Sequence, residues 1–132
     1  MKNLFGVAPG AAYGWPKNLL HWKGIDRSIL DINAAVPAHF VIADGSSAWT
    51  ATGRCMAPRA IWGESCWPGD PVAADFVCSR LIGLNPLRVN YLAQAAKFLG
   101  NGTPERIAHL GERLPSSMQP FAVLPEFAHL RL

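Results

Sequence analysis

Residues 41–83 read VIADGSSAWTATGRCMAPRAIWGESCWPGDPVAADFVCSRLIG, and the fold prediction depends on this stretch. Short apolar runs at 40–43 and 59–63 are typical of strands that are buried on both faces. Asp70 and the proline after it predict the start of a helix, because a proline at the first helical position loses no hydrogen bond. Gly83 predicts the end of that helix. The stretch is interpreted as strand, long loop, strand, tight turn and helix.

Helical patterns flank this stretch on both sides. The predicted helical segments lie at 18–23, 26–35 with Asp26 as N-cap, 85–100 and 103–110. The apolar run at 121–124 is a candidate edge strand that Pro125 keeps short. Two confident strands do not make a stable sheet. Residues 1–132 are therefore predicted to form one small α/β domain, with a parallel or mixed sheet flanked by helices, as an incomplete part of a larger α/β domain.

The composition favours a folded chain without a strongly charged partner. Of the 132 residues, 50% are hydrophobic and 16% are charged, which argues against disorder. The net charge of +3 is spread without a basic run, which argues against nucleic-acid binding. The apolar content is high for a small domain and indicates a large interface or a missing half. Glycines and prolines interrupt the apolar amino terminus, so we expect no signal peptide, no membrane span and a cytoplasmic location.

The cysteines and histidines exclude several metal and redox sites. Three cysteines are widely spaced and form no CxxC pair, so this chain alone builds neither a zinc ribbon nor an iron–sulfur site. No HExxH motif is present, which argues against metalloprotease chemistry. Among the four histidines, His21 is the candidate for a functional role, and the alternative is a surface or packing residue.

Aspartates follow both predicted strands. Asp44-Gly45 comes after the first strand, and Asp70 and Asp75 come after the second. If the strands are parallel neighbours, Asp44 and Asp70 lie at one sheet edge, where open α/β sheets bind ligands. Carboxylates there would suit a divalent cation such as Mg²⁺. The alternatives are structural: Asp70 as helix cap, Asp44 as turn former, and Asp75 as a partner of the helix dipole.

The amino end of the helix after Asp70 is a second candidate feature, because unpaired N–H groups at a helix start attract anions. Lys2 and Asn3 are candidate donors to a phosphate or carboxylate there. Neither GxxxxGK[ST] nor GxGxxG is present, so a nucleotide is disfavoured.

The order of motifs resembles a known family. These motifs are KNLFG at 2–6, LLHWKG at 19–24, SILDINAAV at 28–36, VIADG at 41–45, GDPVAADFVCSRLIGLNP at 69–86 and YLAQAAKFLGNG at 91–102. Together they resemble the carboxyl-terminal half of the domain-of-unknown-function 362 family, over essentially the whole chain. The DPVAxD element at 70–75 is the most specific part.

The resemblance implies a longer α/β domain with more strands on the amino-terminal side, so we expect this chain to be a fragment and Met1 an internal methionine. Many relatives carry ferredoxin-like cysteine motifs and are linked loosely to redox roles, which does not transfer here. The loop at 46–57 departs from the family pattern, with Thr50 and Thr52 where an acidic residue and an amide are common. An altered or lost function is one implication.

Two hypotheses about function follow. The first is a domain that binds a small anionic or metal-associated ligand at Asp44, Gly45, Asp70 and Asp75, with its catalytic residues, if any, unassigned. The second is a non-catalytic interaction module that docks on a missing amino-terminal region or on an iron–sulfur partner protein, or, as its variant, a truncated remnant of an iron–sulfur or redox-associated protein without activity.

Overall fold

The structure is a computed structural model that describes residues 1–13, 18–44, 48–49, 59–60, 65–66, 69–108, 110 and 120–132. Its α-helices are α1 (Gly10–Tyr13), α2 (Asn18–Trp22), α3 (Ile25–Ala35), α4 (Pro71–Leu81) and α5 (Asn90–Ala95). Its 3₁₀ helices span Lys2–Val7, Pro86–Arg88, Pro104–Arg106 and Pro125–Leu130. Its strands are β1 (Ala43–Asp44), β2 (Ala48–Trp49), β3 (Arg59–Ala60) and β4 (Ser65–Cys66).

The predicted α/β fold, with a parallel or mixed sheet flanked by helices, is wrong. The described residues are mostly helical, and β1 pairs antiparallel with β4 while β2 pairs antiparallel with β3. The run at 40–43 was expected to be buried, yet Phe40 is 55% and Ile42 is 62% exposed. A short apolar run does not distinguish a buried strand from another extended segment by periodicity alone.

The tail also lacks the expected edge strand. Residues 121–124 form no strand, and Pro125 opens a 3₁₀ helix instead. The tail attaches to the rest of the chain through an isolated antiparallel bridge between Leu84 and Arg131. The Arg88 guanidinium strengthens this attachment by donating to the carbonyl oxygens of His129 and Arg131, at 3.0 and 2.8 Å.

The helix after Asp70 is confirmed. Helix α4 begins at Pro71, and the Asp70 carboxylate caps it by accepting from the backbone N–H groups of its first turn. Gly83 follows the helix with φ of 80°, in the left-handed region that favours glycine. A Cβ at this position would lie 3.0 Å from the Cα of Pro120, so the tail also packs closely here.

Helix α3 is confirmed with a different start. Its N-cap residue is Gly24, with φ of 98°, and Asp26 lies in the first turn, where a negative charge complements the helix dipole. The predicted helix at 85–100 is divided: a 3₁₀ helix at Pro86–Arg88 precedes α5, and the α-helix ends at Ala95.

The hydrophobic core lies among α3, α4 and α5. Ile29 on α3, Val72 and Phe76 on α4, and Leu92 on α5 are the largest fully buried side chains of the described residues. The side chains of Met1, Leu30 and Ala95 complete this core. The first residue of the chain and the family-like 69–86 segment therefore share one packing centre, and side chains near that centre are fixed by the fold.

Candidate functional site

Asp70 is held by backbone donors from two parts of the chain. Its Oδ1 accepts from the N–H groups of Val72 and Ala73, at 2.8 and 3.2 Å. Its Oδ2 accepts from the N–H of Asn101 at 2.7 Å. A Cβ at Gly100 would lie 2.8 Å from the same Oδ2, so glycine permits this close approach. The carboxylate thus joins the start of α4 to the 100–102 turn.

The donors at the start of α4 are already used. Pro71 has no N–H, and Val72 and Ala73 donate to the Asp70 carboxylate. The N–H of Ala74 donates to the Asp70 carbonyl oxygen at 3.0 Å. An anion would have to displace the Asp70 carboxylate to reach these groups.

The other predicted anion donors are Lys2 and Asn3. The Lys2 Nζ lies 5.7 Å from the Phe5 ring centroid, and Asn3 is exposed on the first 3₁₀ helix.

Asp75 is also engaged by the fold. Its Oδ1 and Oδ2 lie 3.2 and 3.3 Å from the α-amino nitrogen of Met1. The Tyr91 hydroxyl donates to Oδ2 at 3.2 Å. Buried Asn33 donates from Nδ2 to the carbonyl oxygens of Met1 and Ile29, at 3.2 and 2.8 Å. These contacts fasten the first residue of the chain to α3, α4 and α5.

Sequence reasoning missed Asn33 and Tyr91 as members of this cluster. Asn33 lies four residues after Ile29, so the two residues share the buried face of α3. That spacing was the available signal for a buried amide. Tyr91 is 16 residues from Asp75 along the chain, and nothing local in the sequence predicts their contact.

The Tyr91 hydroxyl has a strongly raised pKa. Burial is the main cause, because it disfavours the charged phenolate. The negative charge of Asp75, the hydrogen bond to it and the charge of Asp26 raise the pKa further. The pKa of Tyr91 is higher in the folded state than the unfolded value of about 10. The stabilisation of the fold by the protonated Tyr91 hydroxyl is therefore fully present below about pH 10. It is lost as the pH rises through the folded pKa.

A titration of tyrosinate absorbance tests this environment. The chain has two tyrosines, so Tyr13→Phe leaves Tyr91 as the only one. We expect this variant to titrate well above pH 10 when folded and near 10 in denaturant. Adding Asp75→Asn should lower the folded midpoint, because it removes the nearby negative charge. A folded midpoint equal to the denatured one would contradict the buried Tyr91–Asp75 contact.

Among the described residues, β1 pairs with β4, and the sheet edge that was expected to bring Asp44 and Asp70 together is not formed. Asp44 ends β1, where it pairs antiparallel with Ser65, and its side chain is exposed. Gly45 lies outside the described residues. Within the described ranges there is no group of three or more His, Cys, Asp and Glu side chains that could hold a metal ion. Metal binding by Asp44 and Asp70 stays a prediction without its geometric basis.

Lys2 and His21 meet at one aromatic ring. The His21 and Phe5 ring centroids are 5.8 Å apart with a tilt of 58°, and the Lys2 ammonium lies over the same Phe5 ring. This places two of the predicted site residues close together beside α2. The arrangement adds basic character to the surface of α2 and supplies no carboxylate for a cation.

An exposed apolar surface on α2 was not predicted from the sequence. Trp22 is 79% exposed, and Leu19, one turn earlier on the same helix, is 46% exposed. Ile25, at the start of α3, is 40% exposed. The Ser28 hydroxyl donates to the carbonyl oxygen of Leu20 at 2.8 Å, which joins α2 to α3. Helix α2 therefore turns Leu19 and Trp22 outward, and these residues form an apolar face that the other described residues leave uncovered.

Residues 1–80 match the family described as Domain of unknown function (DUF362). The chain belongs to the DUF362 family. Neither the curated proteins nor the solved structures contain a significant match to it. In the part of this DUF362 chain that the structure describes, no helix combines the length and apolar character needed to cross a membrane.

The DUF362 match includes the exposed face of α2 and the aspartates that were predicted to form a site. It covers α2 and α3, together with Asp44, Asp70 and Asp75, and it ends inside α4. Tyr91 and Asn101, which bind Asp75 of α4 and its N-cap residue Asp70, lie beyond the matched residues. Resemblance to the family after residue 80 stays a prediction.

Proposed function

We propose that this DUF362 chain is a non-catalytic module that docks on another polypeptide through α2. Leu19 and Trp22 form the centre of the docking surface, with Ile25 at its edge. The exposure of Trp22 carries the proposal, because a tryptophan that is 79% exposed leaves a large apolar ring in water. Exposed apolar surface of this kind marks interaction sites, and tryptophan is enriched among the residues that dominate binding energy.

The occupied aspartates support docking over ligand chemistry. Asp70 accepts three backbone hydrogen bonds, and Asp75 is shared between the Met1 amino group and Tyr91. A general acid, base or cation ligand needs a carboxylate that can reach the substrate. Both carboxylates would have to leave their partners first, at a cost in stability.

Size-exclusion chromatography of native extracts tests docking. A tagged chain at endogenous level should elute in a complex well above its mass of 14.3 kDa. Trp22→Ser should shift it to the monomer position, because the apolar anchor is lost. Phe98→Ser is the matched control, since Phe98 is 64% exposed in the segment after α5, and it should leave the complex intact. Elution of the wild type as a monomer, or an equal shift by both variants, would contradict the proposal.

Ligand binding at Asp44 and Asp70 stays the alternative function. Calorimetry with Mg²⁺, Mn²⁺ and phosphorylated metabolites distinguishes the two. If docking is the function, the wild type should show no saturable heat of ligand binding that is lost in Asp44→Ala. Saturable binding that is lost in Asp44→Ala, in a variant with an unchanged thermal midpoint, would favour the ligand-binding function instead.

A further inference from the structure

We infer that the segment that covers α2 is an acidic, amphipathic stretch of a partner polypeptide. This inference rests on the proposed docking function and specifies the chemistry of the partner. It follows from the ammonium group of Lys23 on the apolar face and from the exposed cations of Lys2 and Arg27 on neighbouring elements.

The first basic residue lies on the apolar face itself. Leu19, Trp22 and Lys23 are spaced at i, i+3 and i+4, which places them on one side of a helix. The N–H of Lys23 donates to the carbonyl oxygen of Leu19 at 3.1 Å, so the helical turn extends to Lys23. Lys23 is exposed. A partner that covers Trp22 must therefore accommodate an ammonium group one position away.

Further cations lie on the elements next to α2. Arg27, on the exposed side of α3, is two residues after Ile25. The Lys2 ammonium lies over the Phe5 ring, which in turn contacts His21 of α2. Cations around an apolar centre attract a partner of opposite charge and exclude a basic one.

Two acidic residues of α3, Asp26 and Asp31, lie within one helical turn of Arg27. Among the described residues, neither of them forms an ion pair with Lys23 or Arg27. Asp26 is adjacent in sequence to Ile25 and Arg27, but its charge acts on the Tyr91 hydroxyl, which lies beside Asp75. Asp26 therefore lies close enough to α4 and α5 to contribute to the polar cluster there. The ammonium group of Lys23 remains as the charge on the same helix face as Trp22.

The apolar residues favour a polypeptide over a nucleic acid or a membrane. Single-stranded nucleic acid needs flat aromatic platforms in a basic groove, whereas Leu19 and Ile25 flank Trp22 with aliphatic side chains. Membrane-surface helices are long and amphipathic, whereas α2 has five residues. A short apolar face with basic neighbours suits the apolar face and acidic edge of a peptide helix.

Fluorescence anisotropy with labelled probes tests the inference on the full chain. The probes are an amphipathic leucine–glutamate peptide, its leucine–lysine counterpart, oligothymidylate and phosphatidylglycerol vesicles. We expect the glutamate peptide to bind most tightly, and its binding to weaken as the salt concentration rises. Trp22→Ala and Lys23→Glu should each weaken binding about tenfold or more. The matched controls Phe98→Ala and Lys97→Glu, at neighbouring exposed positions in the segment after α5, should change binding less than about twofold.

Each other outcome overturns the inference. Equal binding of the lysine peptide would remove the charge argument, and tighter binding of oligothymidylate or vesicles through Trp22 would assign another class of partner. Equal losses in the control variants would show non-specific adsorption. A complex in native extracts that Trp22→Ser dissociates but Lys23→Glu leaves intact would refute the acidic partner while the docking function stands.

Discussion

Replacement of Phe76 by alanine is expected to lower the free energy of unfolding by about 3–5 kcal/mol, the range for large-to-small changes of buried aromatic residues. Phe76 is 1% exposed and belongs to the core cluster with Ile29, Val72 and Leu92. It also packs against the 100–102 turn, since a Cβ at Gly102 would lie 2.7 Å from its ring. Urea unfolding monitored by far-ultraviolet circular dichroism gives this value from the midpoint and slope.

Phe98→Ala is the matched control for Phe76→Ala. Phe98 is 64% exposed, so its removal should change the free energy of unfolding by about 0.5 kcal/mol or less. If Phe76→Ala and Phe98→Ala lower the free energy of unfolding by the same amount, the helical core among α3, α4 and α5 is incorrectly placed. If the Phe76→Ala chain does not fold, Phe76→Leu is measured in its place. A smaller loss of the free energy of unfolding, in the same direction, is expected for Phe76→Leu.

Asp70→Ala is expected to lower the free energy of unfolding by about 2–4 kcal/mol. Loss of the N-cap of α4 contributes about 0.5–2 kcal/mol. The N–H of Asn101 would lose its 2.7 Å acceptor, which costs about 1–3 kcal/mol where the group is shielded from water. Thermal and urea unfolding both report the loss, and addition of MgCl₂ should leave it unchanged, because the account gives Asp70 a role in the fold.

Two variants control the Asp70 measurement. Asp31→Ala removes an exposed carboxylate on α3 and should cost about 0.5 kcal/mol or less. Asp70→Asn keeps one oxygen that can cap α4, but its amide N–H₂ cannot accept from Asn101, so an intermediate loss is expected. If Asp70→Ala unfolds with the wild-type midpoint, the carboxylate is not a structural link and its assignment to a ligand regains support.

Helix α4 was predictable because its signals are local. The Asp70-Pro71 pair marks the start of α4, and Gly83 marks its end, within a few residues of chain. The sheet was not predictable in the same way. The run at 40–43 has the composition of a buried strand, but its exposure is decided by what packs on it, and Phe40 and Ile42 are left largely uncovered.

The candidate site shows the same division between local and distant causes. The cap role of Asp70 follows from its neighbours in sequence, whereas its second partner, Asn101, is 31 residues away. The sequence predicted a helical segment at 18–23 but not which of its residues are exposed. Which of them point outward depends on the contact between Ser28 and the Leu20 carbonyl, and this contact is tertiary. Sequence patterns therefore predicted where α4 begins and not which helix faces stay exposed.

The central claim is that this DUF362 chain docks on another polypeptide through the α2 face. A photoreactive benzophenone amino acid placed at position 22 tests it directly in the cell that makes the protein, with position 98 as the matched exposed control. The account predicts a discrete cross-linked protein adduct from position 22, lost when Leu19→Ser is added, and none from position 98. No adduct at position 22, or the same adducts from both positions, would contradict it.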